Sequence, residues 1–61
     1  IIDGKMLTPR YLKRMQFKGY KMFVWTINEP EEMDRFMAMG VDGIITDFPD
    51  ILLERMALRG I

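Results

Sequence analysis

Cysteine and histidine are both absent from this chain. The first absence removes disulfides and thiolate metal sites. The second removes imidazole as a metal ligand, general base or general acid. A chain without cysteine fits a reducing compartment, which favours the cytoplasm slightly without establishing it. No apolar run is long enough to span a bilayer, and the N-terminus has no signal-peptide pattern. Length is scarce too: the 61 residues make at most one small domain. A chain of about 60 residues buries only about 60% of the surface its unfolded form exposes. Such chains usually rely on a disulfide, a metal or a partner. The first residue is Ile rather than Met, so the chain is expected to be part of something longer.

Net charge is zero, yet the charges are segregated. Lys5, Arg10, Lys13, Arg14, Lys18 and Lys21 stand against Asp3 alone up to residue 21. From Asn28 onward Glu29, Glu31, Glu32, Asp34, Asp42, Asp47, Asp50 and Glu54 stand against Arg35, Arg55 and Arg59. A basic segment can signal nucleic acid. Here Lys13, Arg14 and Lys18 have the spacing of a solvated helix face, and no aromatic residues interleave with them as a stacking platform requires. No nucleic-acid partner is expected.

Capping and periodicity give the order of elements. In "MLTPRYLKRMQFKG", Thr8 suits the N-cap, Pro9 the first helical position and Gly19 the stop. Leu7 and Leu12 have the spacing of a hydrophobic staple, and Leu12 and Met15 supply an apolar stripe. "YKMFVWTI" is apolar almost throughout, as befits a strand covered on both faces. "NEPEEMDRFMAMG" is a second helix, opened by Pro30 and closed by Gly40, with Met33, Phe36 and Met37 inward. "VDGIITD" is a second covered strand, and "FPDILLERMALRG" a third helix with Leu52, Leu53 and Met56 inward and Gly60 at its end. Helix, strand, helix, strand, helix is an α/β order, and a strand, crossover helix and strand of these lengths make a βαβ unit with two parallel strands. Ligands of such folds meet the carboxyl ends of the strands. Trp25, Thr26, Asn28, Thr46 and Asp47 all lie there.

Those residues also carry a resemblance. "FVWTINEPEEMDRFMAMGVDGIITDFPDILLE" resembles the C-terminal end of the glycerophosphodiester phosphodiesterases, a TIM-barrel family. The family's last two βα units read approximately as a hydrophobic-led W-T-[VI]-N segment, a helix with an early acid and a Met, then G-V-D-G-I-I-T-D-x-P-D. This chain fills the leading hydrophobic position and matches at Trp25, Thr26, Ile27, Asn28, Met33, Gly40, Val41, Asp42, Gly43, Ile44, Ile45, Thr46, Asp47, Pro49 and Asp50. "LTPRYLKRMQFKGYK" resembles the helix and turn before them, and the likeness weakens only over Ile1 to Met6. The two motifs together, at this spacing, are far more specific than either alone.

The resemblance implies a partial TIM barrel: residues 1–61 as helix six, strand seven, helix seven, strand eight and helix eight. It implies a hydrolase of lipid and glycerol metabolism that cleaves glycerophosphodiesters to an alcohol and glycerol phosphate. The family uses two histidines for acid/base work and a divalent cation, Ca or Mg, held by carboxylates on early strands. This chain has no histidine, so it is expected to hold no catalytic residue, to bind no metal and to be inactive alone. What the resemblance leaves to it is a substrate-binding wall: Trp25, Asn28, Thr46 and Asp47.

Each of these residues has a structural alternative. Trp25 can fill the barrel mouth as core. Asn28 can tie down the turn before its helix. Thr46 and Asp47 can position the last loop by bonding backbone donors at a helix start. The acids Glu29, Glu31, Glu32 and Asp34 suit the positive end of a helix better than a cation site. Two parallel strands alone also leave free edges and an apolar face bearing Phe23, Trp25 and Ile27. The chain is therefore expected to need either the rest of a barrel or copies of itself, and a non-catalytic βαβ module that self-associates through its strands is the alternative to the enzyme reading.

Overall fold

The computed structural model describes residues 1–60. It runs β1 (Ile2–Asp3), a 3₁₀ turn (Gly4–Met6), α1 (Pro9–Phe17), β2 (Phe23–Trp25), α2 (Pro30–Met39), β3 (Gly43–Ile44) and α3 (Pro49–Leu58). The expected order is kept and a short leading strand is added. β1 escapes a reading of periodicity because two residues carry no period. All pairing is parallel and the spatial order is β1-β2-β3, with Ile2 beside Val24, and Val24 beside Ile44. Strands that follow one another in space as in sequence form an arc. A doubly wound sheet would reverse direction.

The helices begin and end where the sequence marks them. Thr8 caps α1, its hydroxyl accepting from the Tyr11 N–H at 3.2 Å, and Pro9 holds the first position. Leu7 and Leu12, the staple pair, are both buried. Pro30 and Pro49 open α2 and α3, and Gly40 closes α2 at φ 89°, in the left-handed region that favours glycine. The core is Leu7, Leu12, Met22, Val24, Ile27, Met33 and Phe36, with Ile2, Met15, Met37, Ile44, Ile51 and Leu52 packed against it. All three helices thus contribute to one apolar layer on the Val24 side of the sheet. No helix among the described residues is long and apolar enough to cross a membrane.

Four expectations are corrected. The strands are shorter than their apolar runs. Leu53 does not face inward: it is 65% exposed, while Ile51, Leu52 and Met56 form the half-buried stripe of α3. Among the described residues the sheet is covered on one face only, so Phe23 and Trp25 are 38% and 43% exposed. Ile27 leaves their face and joins the core at 7% exposure. Beyond Trp25 the chain has left β2, so strict alternation no longer governs it.

One glycine shows how the open face is packed. A Cβ on Gly43 would stand 2.4 Å from Cδ1 of Phe23, its register partner, so the ring lies across the glycine. At the amino ends of the strands the Asp42 carboxylate accepts from the Met22 N–H at 2.6 Å and from Nε2 of Gln16 at 3.3 Å. These bonds, the Met22 one first, hold the carboxyl of Asp42 below its usual range against partial desolvation. Asp42 therefore ties β2, α1 and the start of β3 together.

Candidate functional site

At the carboxyl edge the backbone pairing continues past the strands. The Ile45 N–H donates to Val24 O at 2.8 Å and the Ile27 N–H to Ile45 O at 3.0 Å. This lays the Thr26–Glu29 loop beside the Ile45–Phe48 loop. Asn28, half-buried, links them. Its Oδ1 accepts from the Thr46 hydroxyl at 3.1 Å and from the Asp47 N–H at 3.0 Å, and its Nδ2 donates to Asp47 Oδ2 at 3.1 Å. The Thr46 oxygen in turn accepts from the Phe48 N–H at 3.0 Å, one residue before α3. One amide thus uses both its ends to fix a hydroxyl, a backbone donor and a carboxylate.

The structure brings Asn28, Thr46 and Asp47 into one cluster, and Trp25 takes no part in its hydrogen bonds. Trp25 lies on β2 with its ring on the open face, in register with Asp3. The tie that Asn28 makes and the loop anchoring by Thr46 are both present as structural roles. Chemically, the cluster leaves an exposed carboxylate at Asp47 whose direction Asn28 sets, and it leaves an exposed indole nearby in sequence. Such groups can accept hydroxyl hydrogen bonds and exclude water. They hold no general acid or base of imidazole type.

Beside this cluster opens a cavity of about 290 Å³, between the turn after β1 and the start of α2. Gly4, Lys5, Thr26, Asn28, Glu29, Glu32, Arg35 and Phe36 line it. Arg35 is held there by Glu32 at 2.7 Å and lies over the Phe36 ring, 4.4 Å from its centroid. Sequence reasoning did not single out Lys5 or Arg35 for this edge. Lys5 falls in the stretch where the family motifs fade, and Arg35 reads simply as a helix-surface charge.

The carboxylates do not make a cation site. No group of three or more acidic side chains among the described residues is placed to hold a metal ion. Glu32 is paired with Arg35, Asp34 with Arg55, and Asp42 is spent on the Met22 N–H. The residues present do not fit a divalent cation, and none of the roles below passes through one.

Comparison with known proteins places this edge in a family. The family model of the glycerophosphoryl diester phosphodiesterases matches residues 2–51. A glycerophosphodiester phosphodiesterase of Caldanaerobacter subterraneus subsp. tengcongensis is 40% identical over 54 residues, 88% of this chain and 22% of that protein. A Mycobacterium tuberculosis protein assigned as glycerophosphodiester phosphodiesterase 2 is 36% identical over 55 residues, 90% of this chain and 21% of the other. Among solved structures, a Silicibacter pomeroyi protein assigned as a glycerophosphoryl diester phosphodiesterase superposes with a TM-score of 0.94 at 32% identity, over 97% of this chain and 20% of that one. The chain therefore spans about a fifth of the length of the relatives it matches. Its three-stranded parallel arc is part of a TIM barrel. The chain belongs to the glycerophosphoryl diester phosphodiesterase family.

Proposed function

We propose that this chain is the C-terminal wall of a phosphoric diester hydrolase that cleaves glycerophosphodiesters to an alcohol and glycerol phosphate. In this reading β2 and β3 are strands seven and eight of the barrel, and β1 is strand six. Trp25 covers one side of the bound diester and keeps water from it. Asp47 accepts hydrogen bonds from substrate hydroxyls, and Asn28 and Thr46 hold that carboxylate at the pocket edge. The acid, the base and the carboxylates that hold the family's Ca or Mg lie elsewhere in the barrel. The observation that carries the reading is the Asn28–Thr46–Asp47 cluster, built at the carboxyl edge on the residues that match the family motifs.

The isolated chain is then inactive. General acid–base catalysis typically supplies about 10²–10⁴-fold, and the chain has no histidine to supply it. The purified 61-residue chain should not hydrolyse glycerophosphocholine with or without added calcium or magnesium. Metal-dependent turnover would overturn this assignment of roles.

A second reading is a non-catalytic βαβ module that self-associates through its strands. The exposure of Phe23 and Trp25 on one sheet face favours it. Under this reading Trp25→Ala weakens association and changes nothing else. Under the first it impairs substrate use in an assembled barrel.

A further inference from the structure

We infer that the outer face of α1 docks on an anionic lipid surface, with the Phe17 ring as its inserted anchor. Between Gly4 and Asn28 the chain carries six basic residues and no acidic one. Five of them, Arg10, Lys13, Arg14, Lys18 and Lys21, lie on α1 or just past it, and all five are exposed. Among the described residues none of the five forms a salt bridge, whereas Arg35 and Arg55 take Glu32 and Asp34. Lys21 is close enough to Asp42 to help hold its carboxyl low. The other four form a patch of one sign.

Phe17 stands in that patch. At 92% it is the most exposed large apolar side chain among the described residues. Helix geometry sets its direction. At 3.6 residues per turn Phe17 lies about 140° around α1 from Leu12, which is fully buried in the core. The ring therefore points away from the sheet because of how α1 turns to its core, and not because of where the segment starts or stops. Arg10, two turns earlier, shares its side, and Lys13 and Arg14 are its i−4 and i−3 neighbours. The chain then turns at Gly19, at φ 96°, and the Tyr20 N–H donates to Met15 O at 3.1 Å. That turn keeps Tyr20, 58% exposed, at the same end of the helix.

The mixture of groups selects among polyanions. At an anionic bilayer a phenyl ring enters the acyl boundary while lysine and arginine stems keep their charges among the headgroups. Clusters of about four to eight Lys or Arg on a helix suit such a leaflet. A nucleic acid would accept the charges, but base stacking needs successive rings, and this face of α1 offers one. The patch also lies apart from the Asn28–Thr46–Asp47 cluster. From the carboxyl end of β1, α1 runs back to the turn that precedes β2, so Phe17 sits toward the amino edge of the sheet. Docking leaves the carboxyl edge open to water, and the inference does not depend on what that edge binds.

The test is cosedimentation of the chain with phosphatidylcholine vesicles, with and without phosphatidylglycerol, at fixed protein and varied lipid. Binding is expected only with phosphatidylglycerol, and it should fall steeply as salt rises. Phe17→Ala should weaken it about tenfold, and Arg14→Gln about fivefold. Leu58→Ala, at an equally apolar side chain 69% exposed on α3, should leave it unchanged. Circular dichroism should be the same for all three variants, since none of these side chains is buried. Insertion is read directly from Phe17→Trp in a Trp25→Phe chain, whose emission should shift to the blue on phosphatidylglycerol vesicles. Equal binding to phosphatidylcholine alone overturns the inference. So does a Phe17→Ala chain that binds like the parent, an emission that does not move, or equally tight binding to duplex DNA.

Discussion

Asn28 does more than any other side chain at the carboxyl edge. Three groups on the following loop depend on its amide. Leaving a partly buried donor or acceptor unmade costs about 1–3 kcal/mol, so Asn28→Ala should lower stability by roughly that amount, measured by urea unfolding of the chain. Asn28→Asp is the sharper variant. It keeps the acceptor for Thr46 and the Asp47 N–H but sets a carboxylate where the amide donated to Asp47. Its deficit should therefore be larger at neutral pH than near pH 3, where protonation relieves the clash. A deficit independent of pH would mean that the Asn28–Asp47 contact carries no weight. Trp25 belongs to a different argument. Trp25 is 43% exposed in this chain, so Trp25→Ala removes only part of the packing that a fully buried indole would lose. In an assembled barrel it should raise KM for a glycerophosphodiester more than it lowers stability. Equal losses in both would make it core filler. Gly4 is the contrasting position, because its effect is one of packing alone. A Cβ there stands 2.5 Å from Ile27 Cδ1 and 3.1 Å from the Phe36 ring, so Gly4→Ala should cost about 1–3 kcal/mol as overpacking.

Among the helices, α3 is held most loosely. It has no fully buried residue, whereas α1 buries Leu12 and α2 buries Met33 and Phe36. Its polar tether is Arg55, whose Nε donates to Asp34 Oδ1 at 3.1 Å and whose NH2 group contacts the other oxygen. The Arg55 hydrogen bond holds the Asp34 carboxyl below its usual range, against partial desolvation and with help from the charges of Arg55 and Arg59. An unfolded aspartate titrates near about pH 3.9. A folded value below that means the tether's contribution is present above about pH 4 and is lost as pH falls through the lowered folded value. Amides of α3 should therefore exchange faster than those of α1 and α2, and the gap should widen on acidification below about pH 4. Asp34→Asn should remove that widening. Asp42 titrates in the same sense, and its loss loosens β2 from β3 instead, so Asp34→Asn and Asp42→Asn separate the two effects. The helices were legible in the sequence because caps are local chemistry: Thr8, the three prolines at helix starts and Gly40 act on their own neighbours. β1 was not legible, nor was the outward turn of Leu53, because both depend on what packs against them. The residues of the edge cluster were legible through the family motifs. The way Asn28 serves the opposite loop was not, since a hydrogen bond 19 residues away leaves no local signal.

At the scale of the whole chain the decisive fact is that, among the described residues, one face of the sheet has helices and the other has none. The core on the covered face is small, with seven buried apolar residues among those described, and a single core in a chain of this size rarely supplies more than about 3–5 kcal/mol. Fully burying an aromatic side chain stabilises by roughly 1.5–3 kcal/mol, so with Phe23 38% and Trp25 43% exposed the open face forgoes roughly 1–2.5 kcal/mol, a large share of that margin. The isolated chain should therefore associate with itself. Because three strands per copy do not divide a barrel of eight, that association should lack a closed end point. Sedimentation should show a broad, concentration-dependent series of species rather than one sharp oligomer. The segregated charges of α1 and of the acidic remainder can orient copies, but exposed ion pairs add only about 0–1 kcal/mol each. Association driven by the apolar face should accordingly survive moderate salt, and Ile45→Ser, at an apolar side chain 42% exposed, should reduce it where Lys18→Ala does not. A folded, cooperative monomer at micromolar concentration would contradict the argument at its root. It would mean that the small core suffices and that the open face is tolerated by water.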